Sequence, residues 1–179
     1  MRNIAVFCGS QNGNNEMFGV HAAQIGTLIA QNNFGVVYGG SKKGLMGAVA
    51  NAALENNGNV IGIMPERLAE YDHSHSSITE LLLVPDMHTR KKQMYNLCEA
   101  VIILPGGFGT MDELFEVLTW NQLAIHSKKV YILNTLGYYN DLYTSMQKMQ
   151  KHGFLHSNLN ENIEIYTNPA DLIDAILKN

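Results

Sequence analysis

The chain of 179 residues is poor in several things at once: two cysteines, four prolines, one tryptophan, and charged side chains at only 16%. Cys8 and Cys98 stand far apart, each in or beside an apolar segment and without metal-type spacing. They read as buried free thiols, and a disulfide framework is excluded. The 16 glycines follow no three-residue period and proline is scarce, which excludes a collagen-like chain. No stretch approaches the roughly 18 apolar residues that a membrane helix needs. After Arg2 and Asn3 the first apolar run lasts five residues before Gly9, too short for the apolar region of a secretory signal, so the expected location is the cytoplasm. There is no long basic block, and the net charge is -4, so a nucleic-acid groove is not expected. Hydrophobic residues make up 46%, which excludes a disordered chain and supplies one core.

What is present is alternation. Short apolar runs rich in Val and Ile occur at Ile4 to Cys8, Val36 to Tyr38, Val60 to Met64, Leu81 to Val84, Ala100 to Leu104, Val130 to Leu133 and Ile163 to Tyr166. Most are continuously apolar, as strands covered on both faces must be. Between them lie helical stretches at Glu16 to Gln31, Leu45 to Asn56, Met87 to Cys98, Met111 to His126, Tyr139 to Lys151 and Ala170 to Leu177. Asn168 and Pro169 supply an N-cap and a first-turn proline for the last. The expectation is an α/β domain spanning residues 1–179, with a Rossmann-like, doubly wound, mostly parallel sheet and helices on both faces. The segment from Pro65 to Thr79 fits neither pattern. Its His73 and His75 have no third ligand at recognisable spacing, so it reads as a solvated loop, and no metal site is expected.

Ligands of doubly wound sheets bind at the carboxyl ends of the strands. Three glycine-rich turns fall there: Gly9-Ser10 after the first run, Gly39-Gly40 after the second, and Pro105-Gly106-Gly107-Phe108-Gly109-Thr110 after the fifth. Glycine lets the backbone approach a ligand, and free amides at the following helix starts can hold a phosphate. Three such turns on one edge favour a phosphate or nucleotide site over mere tight turns. No dinucleotide or Walker fingerprint is present at a strand-helix junction.

Two helices carry the reactive groups. Thr110 and Glu113 fit a capping box, with Thr110 as N-cap, yet the same placement puts a carboxylate one turn inside a helix that faces the ligand. Glu116, three residues on, shares that face and reads as facing water; Trp120 reads as core. Met87, Arg90, Met94 and Leu97 share one face of the preceding helix, with Lys91 beside Arg90. Cations near a helix amino end are poorly placed relative to the dipole. Either they meet an anion, such as a substrate phosphate or Glu113, or they snorkel outward.

Met87-His88-Thr89-Arg90-Lys91 followed by Pro105-Gly106-Gly107-Phe108-Gly109-Thr110-Met111-Asp112-Glu113 resembles the Lonely Guy (LOG) family pattern, M-x-x-R-K then P-G-G-x-G-T-x-x-E. Phe7-Cys8-Gly9-Ser10, Tyr38-Gly39-Gly40 with Gly44-Leu45-Met46-Gly47, Thr119-Trp120 with Gln122-Leu123, and Gly137-Tyr138-Tyr139 extend the likeness over nearly the whole chain. Members also carry the label "possible lysine decarboxylase". The resemblance implies a Rossmann-like homodimer that hydrolyses the N-glycosidic bond of cytokinin riboside 5'-monophosphates, often also AMP, releasing base and ribose 5-phosphate without a cofactor.

Carried over by motif, Arg90 and Glu113 are the catalytic pair. Lys91, Gly107, Phe108, Gly109, Thr110, Met111, Asp112 and Thr119 line the nucleotide site, with Met87, Gly106 and the turn residues Gly9, Ser10, Gly39 and Gly40. One departure is Ser41, where the family's second turn usually has a third glycine. A decarboxylase would need a Schiff-base lysine in a cofactor site, and the nine lysines read as surface or phosphate-facing residues. The alternative is a non-catalytic nucleotide or molybdenum-cofactor carrier, since such carriers resemble this chain in the P-G-G-x-G-T turn but do not require Arg90 together with Glu113.

Overall fold

The computed structural model describes residues 2–70 and 74–178. Seven strands form one sheet: β1 (Asn3–Phe7), β2 (Gly35–Tyr38), β3 (Val60–Pro65), β4 (Glu80–Val84), β5 (Ala100–Ile103), β6 (Lys129–Leu133) and β7 (Ile163–Tyr166). The helices are α1 (Glu16–Gln31), α2 (Gly44–Glu55), α3 (Glu66–Ala69), α4 (Met87–Leu97), α5 (Phe108–Gln122), α6 (Asn140–Lys151), α7 (Leu159–Asn162) and α8 (Pro169–Leu177). The strand order is β4-β3-β2-β1-β5-β6-β7, and every pairing is parallel. The order reverses between β1 and β5, and a ligand crevice opens at such a switch point.

Alternation along the strands feeds two cores. Ile4, Val6 and Cys8 join Ile25, Val49 and Leu172 of α1, α2 and α8 on one face. Ala5 and Phe7 join Met94, Leu114 and Met146 of α4, α5 and α6 on the other. Each fully buried aliphatic side chain contributes roughly 1.5–3 kcal/mol, so the central strands, covered on both sides, anchor the fold. No helix of the described residues is long and apolar enough to cross a membrane.

Each expected strand and long helix is present, and Asn168 caps α8 with Pro169 in its first turn. Three local expectations are corrected. Helix α5 starts at Phe108 with Gly107 as N-cap, so Thr110 is the third helical residue and not the cap. The first intrahelical bond runs from the Met111 amide to the Gly107 carbonyl, 3.1 Å. The helix ends at Gln122, not His126, because Ala124 turns left-handed (φ 53) and the Ile125 amide reaches back to the Trp120 carbonyl. Most described residues of the 65–79 segment are exposed, as expected, but two features depart from a plain solvated loop. α3 occupies its start, and His75 is buried, with Nε2 2.8 Å from Asn51 Oδ1 and its amide donating to the Gly40 carbonyl. His73 lies outside the described residues, which hold no group of three or more His, Cys, Asp or Glu side chains placed to bind a metal.

Candidate active site

The first and third glycine turns are bonded backbone to backbone, and the first also holds the start of α2, which follows the second turn. The Gly9 amide donates to the Pro105 carbonyl at 3.0 Å, and the Leu45 amide, at the start of α2, donates to the Gly9 carbonyl at 3.1 Å. Above this knot, at the carboxyl ends of β1, β2 and β5, lies a cavity of about 320 Å³. Of the expected site residues, Gly9, Ser10, Gly39, Arg90, Gly107, Phe108, Gly109, Thr110 and Glu113 line it.

The glycines serve different ends. A Cβ on Gly39 would stand 2.2 Å from Arg90 Nη2, and one on Gly106 would stand 2.1 Å from Thr110 Oγ1. Their missing side chains make room for other protein groups. Around Gly107 and Gly109 a Cβ would meet nothing within 4 Å, so these two leave backbone open to a ligand. Gly107 caps α5 without a side-chain bond, and the first amides of the helix precede its first internal hydrogen bond. A helix terminus of this kind, with open backbone and free amides, has the physical features that suit an anion.

Arg90 reaches the cavity from the first turn of α4, whose start is fixed by Asp86 Oδ1 accepting from the Thr89 amide at 2.7 Å. The guanidinium does not snorkel outward. Nε donates to the Ile63 carbonyl at 3.1 Å, Nη1 contacts Met87 Sδ at 3.6 Å, and Nη2 stands 3.5 Å from Glu113 Oε1. Glu113 is buried, and Tyr95 Oη donates to its backbone carbonyl at 3.1 Å. Burial pushes the Glu113 carboxyl up to about 7; Arg90, at 3.5 Å, only partly offsets this. The Cys8 thiol, raised by burial and by the Glu113 charge, is held neutral in the cavity wall. A carboxyl poised near neutrality beside a fixed guanidinium suits proton transfer or stabilisation of a developing cation.

The other expected site residues lie off this cavity. Gly106 lines a neighbouring hollow beneath Tyr138, whose hydroxyl donates to the Gly106 carbonyl at 2.7 Å. Gly40 (φ 78) turns the chain and accepts from His75. Met87 is half-exposed and touches Arg90, and Met111 packs into the α5 side of the core. Thr119 donates to the Phe115 carbonyl and faces a separate apolar groove. Lys91 is buried, with Nζ 2.9 Å from Asp112 Oδ2 and 3.0 Å from Glu116 Oε1. Glu116 therefore faces Lys91 and not water, a correction. Asp112 and Glu116, four apart, share that side of α5 and Glu113 is turned from it. Of the Met87, Arg90, Met94 and Leu97 face only Met94 is buried, and the other buried residues of α4 are Lys91 and Tyr95. Ser41 Oγ accepts from the Lys43 amide within its own turn.

Residues 46–176 match a family model described as "Possible lysine decarboxylase". The chain is 39% identical over 175 residues to the cytokinin riboside 5'-monophosphate phosphoribohydrolase LOG2 of Arabidopsis thaliana, covering 98% of this chain and 82% of the relative. It is 42% identical over 155 residues to the enzyme of the same name from Rhodococcoides fascians, covering 86% and 78%. The chain belongs to the Lonely Guy family. Among solved structures, the molybdenum cofactor binding protein of Rippkaea orientalis superposes with a TM-score of 0.76 over 99% of this chain and 97% of that one, at 22% identity. That likeness shows the Rossmann-like fold alone.

Two walls of the cavity were not among the site residues expected for this Lonely Guy chain, although one of them, Met46, lies in the Gly44-Leu45-Met46-Gly47 motif. Leu68 comes from the one-turn helix α3, too short to show a period, and Met46 from the first turn of α2. The Met46 sulfur sits where a Gly39 Cβ would meet it at 2.9 Å, so the second glycine turn is what seats it.

Proposed function

We propose that the chain, acting as one domain, hydrolyses the N-glycosidic bond of cytokinin riboside 5'-monophosphates and of AMP, releasing free base and ribose 5-phosphate. The observation that carries this is the Glu113–Arg90 pair set in the cavity beside the open amino end of α5. The α5 amides and the bare backbone at Gly107 and Gly109 hold the 5'-phosphate. Water attacks the ribose anomeric carbon as the bond to the base nitrogen breaks; the electron pair leaves with the base, which takes a proton from solvent, and positive charge grows on the ring in the transition state, as in glycoside hydrolysis. The Glu113 carboxylate faces that charge and takes the water's proton. Arg90, held by the Ile63 carbonyl, keeps Glu113 oriented. Leu68 and Met46 offer apolar contact to the base.

Pyridoxal-dependent decarboxylation fits these residues poorly. It needs a free lysine at the cofactor, no lysine lines the cavity, and Lys91 is committed to two carboxylates. Exposed Leu123 and Ile125 beyond α5 offer apolar surface for a homodimer, checked by sedimentation. The two free buried cysteines suit a reducing cytoplasm.

The test is incubation of purified protein with AMP and, separately, isopentenyladenosine 5'-monophosphate, with free base quantified by chromatography. Base release with either substrate, lost in Glu113→Gln, is the expected result. Nucleotide binding with no release would make the chain a carrier instead.

A further inference from the structure

Three carboxylates crowd one turn and a half of α5: Asp112, Glu113 and Glu116. Two cations of α4 face them, and the structure sorts them unequally. Arg90 stands 3.5 Å from Glu113, while Lys91 takes both Asp112 and Glu116 at 2.9 and 3.0 Å. The Lys91 side chain is 6% exposed and lines no part of the cavity, so it has no free donor directed at substrate. Glu116 Oε2 is buried without a hydrogen-bond partner among the described residues, and Lys91, at 3.0 Å from Oε1, is the cation that faces this carboxylate.

We propose that Lys91 is a positioning residue, which neutralises Asp112 and Glu116 and thereby leaves Glu113 answering to Arg90, and that it does not contact the nucleotide. This rests on the proposed hydrolysis only for its kinetic consequence. The groups facing Glu113 are Arg90, Lys91 and Tyr95 from α4, Asp112 and Glu116 from its own helix, and Cys8 after β1. Both neighbouring carboxylates oppose a charge on Glu113, and both cations favour it. Burial alone would pull Lys91 down; hydrogen bonds and charge from Asp112 and Glu116 more than restore it, so it stays cationic at neutral pH. Without Lys91 the local charge falls from one net negative to two, and Glu113 holds its proton more tightly.

The experiment is a carboxyl-carbon NMR titration of protein labelled with 13C at the glutamate carboxyl, with Glu113→Gln assigning the signal, in wild type, Lys91→Met and Lys91→Arg. The expected midpoint of Glu113 rises by about one pH unit in Lys91→Met and returns in Lys91→Arg. The acid limb of base release moves with it, and KM for AMP changes less than twofold. An unmoved midpoint, with KM raised tenfold and weakened ribose 5-phosphate binding, would make Lys91 a phosphate contact and overturn the proposal. If Lys91→Met fails to fold, Asp112→Asn gives the opposite shift, a lower midpoint, and no shift overturns it. The titration needs no turnover, so a wild type that releases no base defeats the proposed function and still leaves the Lys91 result readable.

Discussion

Arg90 and Lys91 are sequence neighbours with the same charge, on the same turn of α4, and the fold sends them to different tasks. Arg90 crosses to the cavity because Gly39 clears its path and the Ile63 carbonyl fixes its fork. Lys91, one residue and about 100° further round the helix, is buried against α5 between two carboxylates. The first pair is loose at 3.5 Å and leaves its carboxylate near neutrality; the second is tight and leaves its lysine fully charged. A cation beside a carboxylate is thus no guide to role until its distance and its other partners are known.

The comparison breaks hardest at Glu113. Glu113→Gln keeps shape and burial but removes the charge, and base release should fall about 10³-fold, as for loss of a general base. Arg90→Lys comes next. A single ammonium cannot donate to the Ile63 carbonyl and face Glu113 in the same fixed plane, so kcat/KM should drop about 10²-fold, while Lys91→Arg should retain most of its activity. Near wild-type turnover in Arg90→Lys would remove the distinction between the two cations.

Stability sharpens it further. The folded carboxyl of Glu113 sits near 7, above its ordinary 4.5, so the folded state holds a proton that the unfolded chain has released. Stability therefore falls as pH rises from 4.5 through 7, by a total on the order of 3 kcal/mol. Denaturant unfolding should show this decline in wild type and its loss in Glu113→Gln; parallel curves would mean Glu113 is solvated.

The smallest effects separate the two kinds of glycine. Gly39→Ala places a methyl against Arg90 and should cost about 1–3 kcal/mol and roughly tenfold in kcat. Gly109→Ala, in open space within α5, should leave the fold as stable or raise it by about 0.5–1 kcal/mol, and raise KM. Equal losses of stability in the two would contradict the geometry.

The sheet was readable because strands covered on both faces must be continuously apolar, and all seven runs lie within a residue or so of the strands they became. The helices were readable in period but not at their ends. At α5 the Thr110–Glu113 spacing mimics a capping box, whereas the cap is a glycine with no side chain to signal it. Glu116 was misplaced because spacing from Glu113 is ambiguous, and its partner, Lys91, belongs to another helix. The likeness of the motifs to the Lonely Guy family was readable and holds. The outward or inward course of Arg90 was not, since it depends on Gly39 some fifty residues earlier. Leu68 gave no signal at all, because a single turn has no period.

That the buried carboxyl of Glu113 is the reacting group is tested most directly by the pH dependence of kcat/KM for base release from AMP, in wild type and Glu113→Gln. The predicted result is a wild-type profile that rises with one ionisation near pH 7 and a mutant at least 10³-fold lower with that limb gone. A mutant that keeps the limb and most of the rate would contradict it.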